Sequence, residues 1–209
     1  MNGQTLVDGV RESERTELDR LGSDKAMIAA TAADLDTDPV LEHVASTLDG
    51  LGTTCEAWAA EGDGDAAALF AATAEAASEE FDRVTAAKDD SAEPTGDAPA
   101  VVATLTEFET EAARVGGLVG QSLAFDRTLL QAVNFFVNEA DESRANVIRD
   151  VRTAASNRVD EAAAVLGEVC AGEDDWDAAE EAAIAVVDAA YAEYVDALDV
   201  LGIDPKPVC

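Results

Sequence analysis

Alanine supplies 44 of the 209 residues, and all five prolines (Pro39, Pro94, Pro99, Pro205 and Pro207) lie where a helical pattern breaks or begins. Alanine has the best intrinsic helix propensity, and proline is tolerated in first turns and linkers but not in helix interiors. The chain is therefore predicted to be all-α, with no long helix that has to absorb a proline. The spacing predicts a first helix over Thr5–Leu21 and a second over Ser23–Leu35, both peripheral. Asp38–Pro39 offers an N-cap and first-turn proline for a third helix, running to Ala60 through Gly50 and Gly52. "EGDGD" at 61–65 reads as a tight turn, with Asp63 or Asp65 capping a fourth helix. Leu69, Phe70, Thr73, Ala77, Phe81 and Val84 of that helix keep the i, i+3, i+4 spacing of one buried face.

"DDSAEPTGDAP" at 89–99 reads as a linker. Helix is predicted again over 99–114, where Val101, Leu105, Phe108 and Ala112 form a stripe. Gly116, Gly117 and Gly120 follow, a spacing that means either a break or a close helix crossing. Leu129, Leu130, Val133, Phe135 and Phe136 place the next helix at the centre of a bundle. Asn138 or Asp141 is expected to cap a long helix to about Cys170, with Val147, Ile148, Val151, Ala155, Val159, Ala162 and Leu166 facing inwards. Asp174 is expected to cap the last, stopped by Gly202 and Pro205. A helix of about 25 residues is roughly 38 Å long, and ten extended residues span roughly 34 Å at most. A linker alone would be strained as a crossover, so either the bundle is up-down-up-down or, as we expect, the segment 99–114 is itself part of the crossover, with a glycine break at 116–117 leading into the next bundle helix. The organisation is thus residues 1–36 as peripheral helices, 37–88 as a first hairpin, 89–98 as linker and 99–209 as the second helical part, all in one domain.

The formal net charge is -32, from 45 Asp+Glu against 13 Lys+Arg, yet 48% of the residues are apolar, enough to bury a core. Self-repulsion at this charge is tolerable where concentrated salt screens it, since the Debye length falls to roughly 3 Å at molar ionic strength. The composition points to a halophile. No basic, apolar-cored leader opens the chain, and the apolar run Val115–Val137 is interrupted by Asp126 and Arg127, short of the roughly 18 residues a span needs. The expectation is a cytoplasmic protein away from membranes. Cys55, Cys170 and Cys209 have no CxxC spacing, which fits reduced thiols; Cys55 and Cys170 read as packing residues and Cys209 as an accessible end.

Residues 61–84 resemble the first helical hairpin of the rubrerythrin branch of the ferritin-like superfamily: Glu61–Gly62 at the turn, Phe70 in the helix after it, then Thr73–Ala74–Glu75. The likeness is to rubrerythrin-like proteins of haloarchaeal type. It implies a ferritin-like four-helix bundle, here with additional N-terminal and C-terminal helices. In that family an E-x-x-H follows directly, a glutamate and a histidine one helical turn apart that address one iron. Position by position, the glutamate lands on Ala77, the histidine on Glu80, and the preceding helix's glutamate on Val44. The chain has no E-x-x-H, and its sole histidine is His43. Di-iron chemistry and peroxidase activity are not carried over. No catalytic residue, cofactor or metal is assigned.

Glu42, Glu56, Glu80, Glu107, Glu111 and Glu139 are the carboxylates from which an all-oxygen site for Mg2+ or Mn2+ could be built, and Glu80, bordering the apolar stripe, is the candidate metal residue. His43 reads as a surface or edge residue. No phosphate-cradling glycine loop or nucleophile elbow is present. Arg144, Arg149, Arg152 and Arg158 spread around one helix and are expected to pair with neighbouring carboxylates, so nucleic acid is not the expected partner. The expected function is non-enzymatic: a structural, interaction or regulatory module that pairs with a protein or with itself. The alternatives are a metal-dependent oxidoreductase with a carboxylate site near Glu80, and a transcription-associated factor using the arginine-bearing helix.

Overall fold

A computed structural model describes residues 1–89 and 99–205. The linker expected at 89–98, apart from Asp89, lies outside the described residues, as does Cys209. Every regular element among the described residues is a helix. In chain order these are α1 (Gly3–Ser13), α2 (Arg15–Leu21), α3 (Lys25–Ala30), α4 (Thr37–Glu61), α5 (Gly64–Ala86), α6 (Ala100–Leu105), α7 (Glu111–Asn138), α8 (Glu142–Val169) and α9 (Glu173–Val200). None of them is long and apolar enough to cross a membrane.

Several boundaries differ from the predicted ones. The helix expected over Thr5–Leu21 is two, because the backbone at Glu14 leaves helical geometry (φ -96°, ψ 22°). The one expected over Ser23–Leu35 ends at Ala30, and Ala32 and Ala33 turn through positive φ. Asp36, not Asp38, caps α4, its carboxylate accepting the Thr37 N–H. Asp141 caps α8 through the Arg144 N–H, as its position suggested. At α9 the N-cap is Gly172 rather than Asp174, and the carboxylate of Asp175 accepts the N–H groups of Ala171 and Gly172. The helix expected over 99–114 is the short α6 followed by an irregular stretch, and α7 starts at Glu111.

The break expected at Gly116–Gly117 does not occur: α7 runs through it unbroken. The glycines instead allow a close helix crossing. A Cβ on Gly116 would stand 2.0 Å from the Ala179 carbonyl oxygen, and one on Gly120 2.2 Å from that of Ala183. Because 116 meets 179 and 120 meets 183, α7 and α9 run parallel, with backbone against backbone.

Polar contacts at the helix ends give the directions of the other helices. The Lys88 ammonium pairs with Glu42, the Asp89 N–H donates to Asp38, and Arg144 donates to the Ala87 carbonyl, so the start of α4, the end of α5 and the start of α8 share one end. At the other end Arg114 pairs with Glu61 at 2.6 Å and lies over the Trp58 ring, which joins the start of α7 to the end of α4. Thus α4 and α5 are an antiparallel hairpin, α7 and α8 are another, and α5 and α7 are parallel. The chain therefore leaves α5 at one end of the bundle and enters α7 at the other, with α6 coming before α7. α5 packs on α8, while α4 and α7 approach each other closely at few points. α9 lies outside against α7, and α1–α3 form a strap along α7, α8 and α9. The strap is not a loose appendage: Leu6, Val7 and Val10 are fully buried, and Gly3 lies so close to the Ala163 carbonyl that a Cβ would overlap it.

Candidate functional site

Two places in the bundle hold polar groups among apolar ones. The first is its centre. Val44 and Ala77 are fully buried there, and Glu80 is 1% exposed. Across from Glu80, on α8, lies Arg158, 3% exposed, whose Nη2 is 3.5 Å from each carboxylate oxygen. The candidate metal residue therefore faces a guanidinium. Burial pushes the Glu80 carboxyl above the ordinary carboxylate range, against the opposing pull of Arg158. The Nη1 of Arg158 and the hydroxyl of Thr73 have no hydrogen-bond partner. Cys55 is buried near the same arginine, and burial pushes its thiol up to about 12, so it stays protonated and packs as a small apolar group.

The other carboxylates considered as metal ligands do not join Glu80. Glu42 is tied to Lys88, and Glu56, Glu107, Glu111 and Glu139 are exposed on separate elements. Among the described residues no three His, Cys, Asp or Glu side chains gather in a way that could hold a metal. The arginines of α8 pair largely within the chain: Arg144 with Asp89 and Asp141, Arg152 with Asp126 at 2.8 Å, and Arg158 with Glu80, while Arg149 donates to Asn146. Nothing in the sequence pairs Arg158 with Glu80 directly. A signal was present, because Arg158 falls on the inward stripe of Val151, Ala155, Val159 and Ala162.

The second place is the seam where α4 and α7 stand apart. A pocket of about 180 Å³ lies there, with α2, α3, α6 and α9 completing its walls. Leu21, Ala29, Val101, Ala124, Phe125 and Ala190 are among its apolar lining residues. His43, Thr47, Gln121, Thr128 and Tyr194 are its polar lining residues, and Glu193, exposed, also lines it and accepts the Ala100 N–H. Gln121 is fully buried; its oxygen is paired with the Ser122 hydroxyl and its amide nitrogen has no acceptor. Sequence reasoning passed over this residue, although Gln121–Ser122 is the sole polar pair in the run Val115–Phe125.

Of the surface or edge position expected for His43, the structure shows the edge. His43 is half-buried against the pocket, and burial lowers its pKa to about 4. A folded-state value below the unfolded one means that the unfolded chain binds the proton more readily. The stability His43 contributes is full above about 6.5 and is lost as the pH falls toward about 4, at up to about 1.4 kcal/mol per pH unit. His43→Phe is therefore expected to flatten the stability profile between these values in chemical denaturation at fixed salt. An unchanged profile would show that the imidazole titrates freely.

No family model matches the chain, and no curated protein or solved structure is detectably similar to it.

Proposed function

We propose that this chain is a non-enzymatic bundle of the ferritin-like type, of halophilic and cytoplasmic habit, in which an arginine holds the place of a metal. Its role is then structural, interactive or regulatory, exercised with a protein partner or a second copy. The observation that carries this reading is the guanidinium of Arg158 against Glu80 in the bundle centre. A cation of fixed charge, supplied by the chain, sits beside the single carboxylate left at the positions where the resemblance would put metal ligands. Val44 and Ala77, at the two other positions, offer no donor atom. Two antiparallel hairpins joined by one long crossover are the connectivity of ferritin-like bundles. The paired state of Arg144, Arg152 and Arg158 argues against their use as an open docking face.

The test is metal content per chain by inductively coupled plasma mass spectrometry, on protein purified from a high-salt host without chelator, beside Glu80→Gln. Sub-stoichiometric metal, unchanged by the substitution, is expected. Two equivalents of iron or manganese, lost in the variant, would make the protein a metalloenzyme candidate instead. Two solution measurements address the rest of the reading. The thermal midpoint should climb steadily from about 0.1 M to about 3 M KCl as the charges are screened. Sedimentation velocity in the same salt then reports whether the chain pairs with itself.

A further inference from the structure

In a chain with 45 carboxylates against 13 lysines and arginines, a guanidinium that pairs with none of them calls for an explanation. Arg127 is that group. Every other arginine among the described residues makes a hydrogen bond or an ion pair: Arg11 with Asp8, Arg15 with Glu12, Arg20 with Tyr191, Arg83 with the Glu79 carbonyl, and Arg114 and the arginines of α8 as described above. Arg127 makes neither, and its neighbour Asp126 is taken by Arg152. The side chain is half-buried, with its stem held at the α2–α3 corner, where a Cβ on Gly22 would stand 3.5 Å from Arg127 Cδ. Its nitrogens are nevertheless open to solvent, because the orphaned buried polar atoms among the described residues belong to Thr73, Thr85, Gln121 and Arg158.

Arg127 lines a groove of about 290 Å³ between the strap and α7, and Arg11 and Arg15 line it from the strap side. We propose that this groove binds a phosphate group, with Arg127 as the principal donor and Arg11 and Arg15 closing on it. A guanidinium presents five N–H donors in a planar fork that matches two phosphate oxygens at once, and such charge-assisted bonds are the strong ones. Phosphate carries about -1.5 to -2 charge at neutral pH and three strong acceptor oxygens. Guanidiniums arriving from two sides, α7 and the strap, can therefore share it, whereas a carboxylate offers two oxygens in one plane.

The carboxylates of the groove do not prevent this. Asp8 and Glu12 are held in i, i+3 pairs with Arg11 and Arg15, with side chains between 45% and 71% exposed, and pairs of that kind contribute little and exchange readily for a better acceptor. Asp19, exposed and in no ion pair with Arg127, is the lining group that opposes an anion. The net charge of -32 acts at longer range, and in molar KCl a Debye length of roughly 3 Å screens it while contact hydrogen bonds persist. A bound phosphate would join α1 and α2 to α7.

The experiment titrates inorganic phosphate, glycerol 3-phosphate and acetate into the nitrogen-15-labelled full chain in about 1 M KCl, at constant ionic strength, and follows the Nε–H resonance of Arg127. A saturable shift is expected with both phosphates. Tighter binding of the ester would assign the groove to a phosphate ester, and equal or weaker binding to free phosphate. Acetate should bind at least about fivefold more weakly than phosphate. Arg127→Ala should weaken phosphate by about tenfold or more, the worth of a charge-assisted hydrogen bond, and Arg11→Ala and Arg15→Ala by about two- to fivefold each. Asp19→Asn should strengthen it by about two- to threefold. Affinity should also fall between pH 7 and pH 5, because the second phosphate pKa is about 6. The proposal is overturned by absence of a saturable shift, by acetate binding as well as phosphate, or by unchanged phosphate affinity in Arg127→Ala, read by isothermal titration calorimetry. If that variant does not fold, Arg127→Gln is read in the same way.

Discussion

Replacing Gly116 and Gly120 together by alanine is expected to cost about 3 kcal/mol or more. Helix propensity alone predicts the opposite sign, because alanine is favoured over glycine by roughly 1 kcal/mol at each interior position. The crossing reverses it. The added methyl groups would lie 2.0 Å and 2.2 Å from backbone carbonyl oxygens of α9, and backbone cannot swing aside as a side chain can. α9 would have to lift from α7, taking the packing of Ala179, Ala183, Val186 and Val187 with it, all of which are fully buried. Gly167 near the end of α8 is the control: a Cβ there meets nothing within 4 Å, and Gly167→Ala should be neutral or stabilising by up to about 1 kcal/mol. Urea unfolding at fixed KCl measures both. A double variant as stable as the parent would mean that the two helices do not cross where the structure places them.

The second large effect is at the bundle centre. Glu80→Ala should destabilise by about 3–5 kcal/mol, because it leaves the Arg158 guanidinium buried and uncompensated, and Arg158→Ala should do the same in reverse. The informative variant is the double one. Glu80→Leu with Arg158→Met removes both charges and keeps the volume, so it is expected to recover most of either loss and could exceed the parent by about 1–4 kcal/mol. Strict additivity of the single losses would show that the two groups do not interact. The pH dependence has a definite sign as well. The Glu80 carboxyl is raised in the folded state, so its contribution is full below the unfolded value and is lost as the pH rises through the folded one. Glu80→Gln should remove that loss. This trend opposes that of His43, whose contribution grows as the pH rises, so the two substitutions should tilt the acid limb of the stability curve in opposite directions.

The recognition of helices was a local matter, and local rules served it well where periodicity was long. α8 and its Asp141 cap, the passage of α4 through Gly50 and Gly52, and the turn at 61–65 were all legible because propensity, cap chemistry and the 3.6-residue repeat act over one or two turns. The short helices were misjudged for the same reason. In α1–α3 the apolar spacing continues past Glu14 and past Ala30, and the chain turns there to follow the surface of α9, which no local signal announces.

What the sequence by itself determined is the all-helical class, the long helices, the sign and size of the charge, and the apolar character of Val44 and Ala77. What only the tertiary structure decided is which faces meet. A glycine pair spaced by four residues is compatible with a break or a crossing until α9 is seen against it. Glu80 and Arg158 are 78 residues apart in the chain, and each is unremarkable in a helix rich in charge. The pocket is assembled from six helices, none of which encodes it. The physical reason is common to all three. Secondary structure is set by interactions between residues a turn apart, whereas a crossing, a buried ion pair or a cavity depends on the relative placement of surfaces that the chain brings together only after its helices have packed.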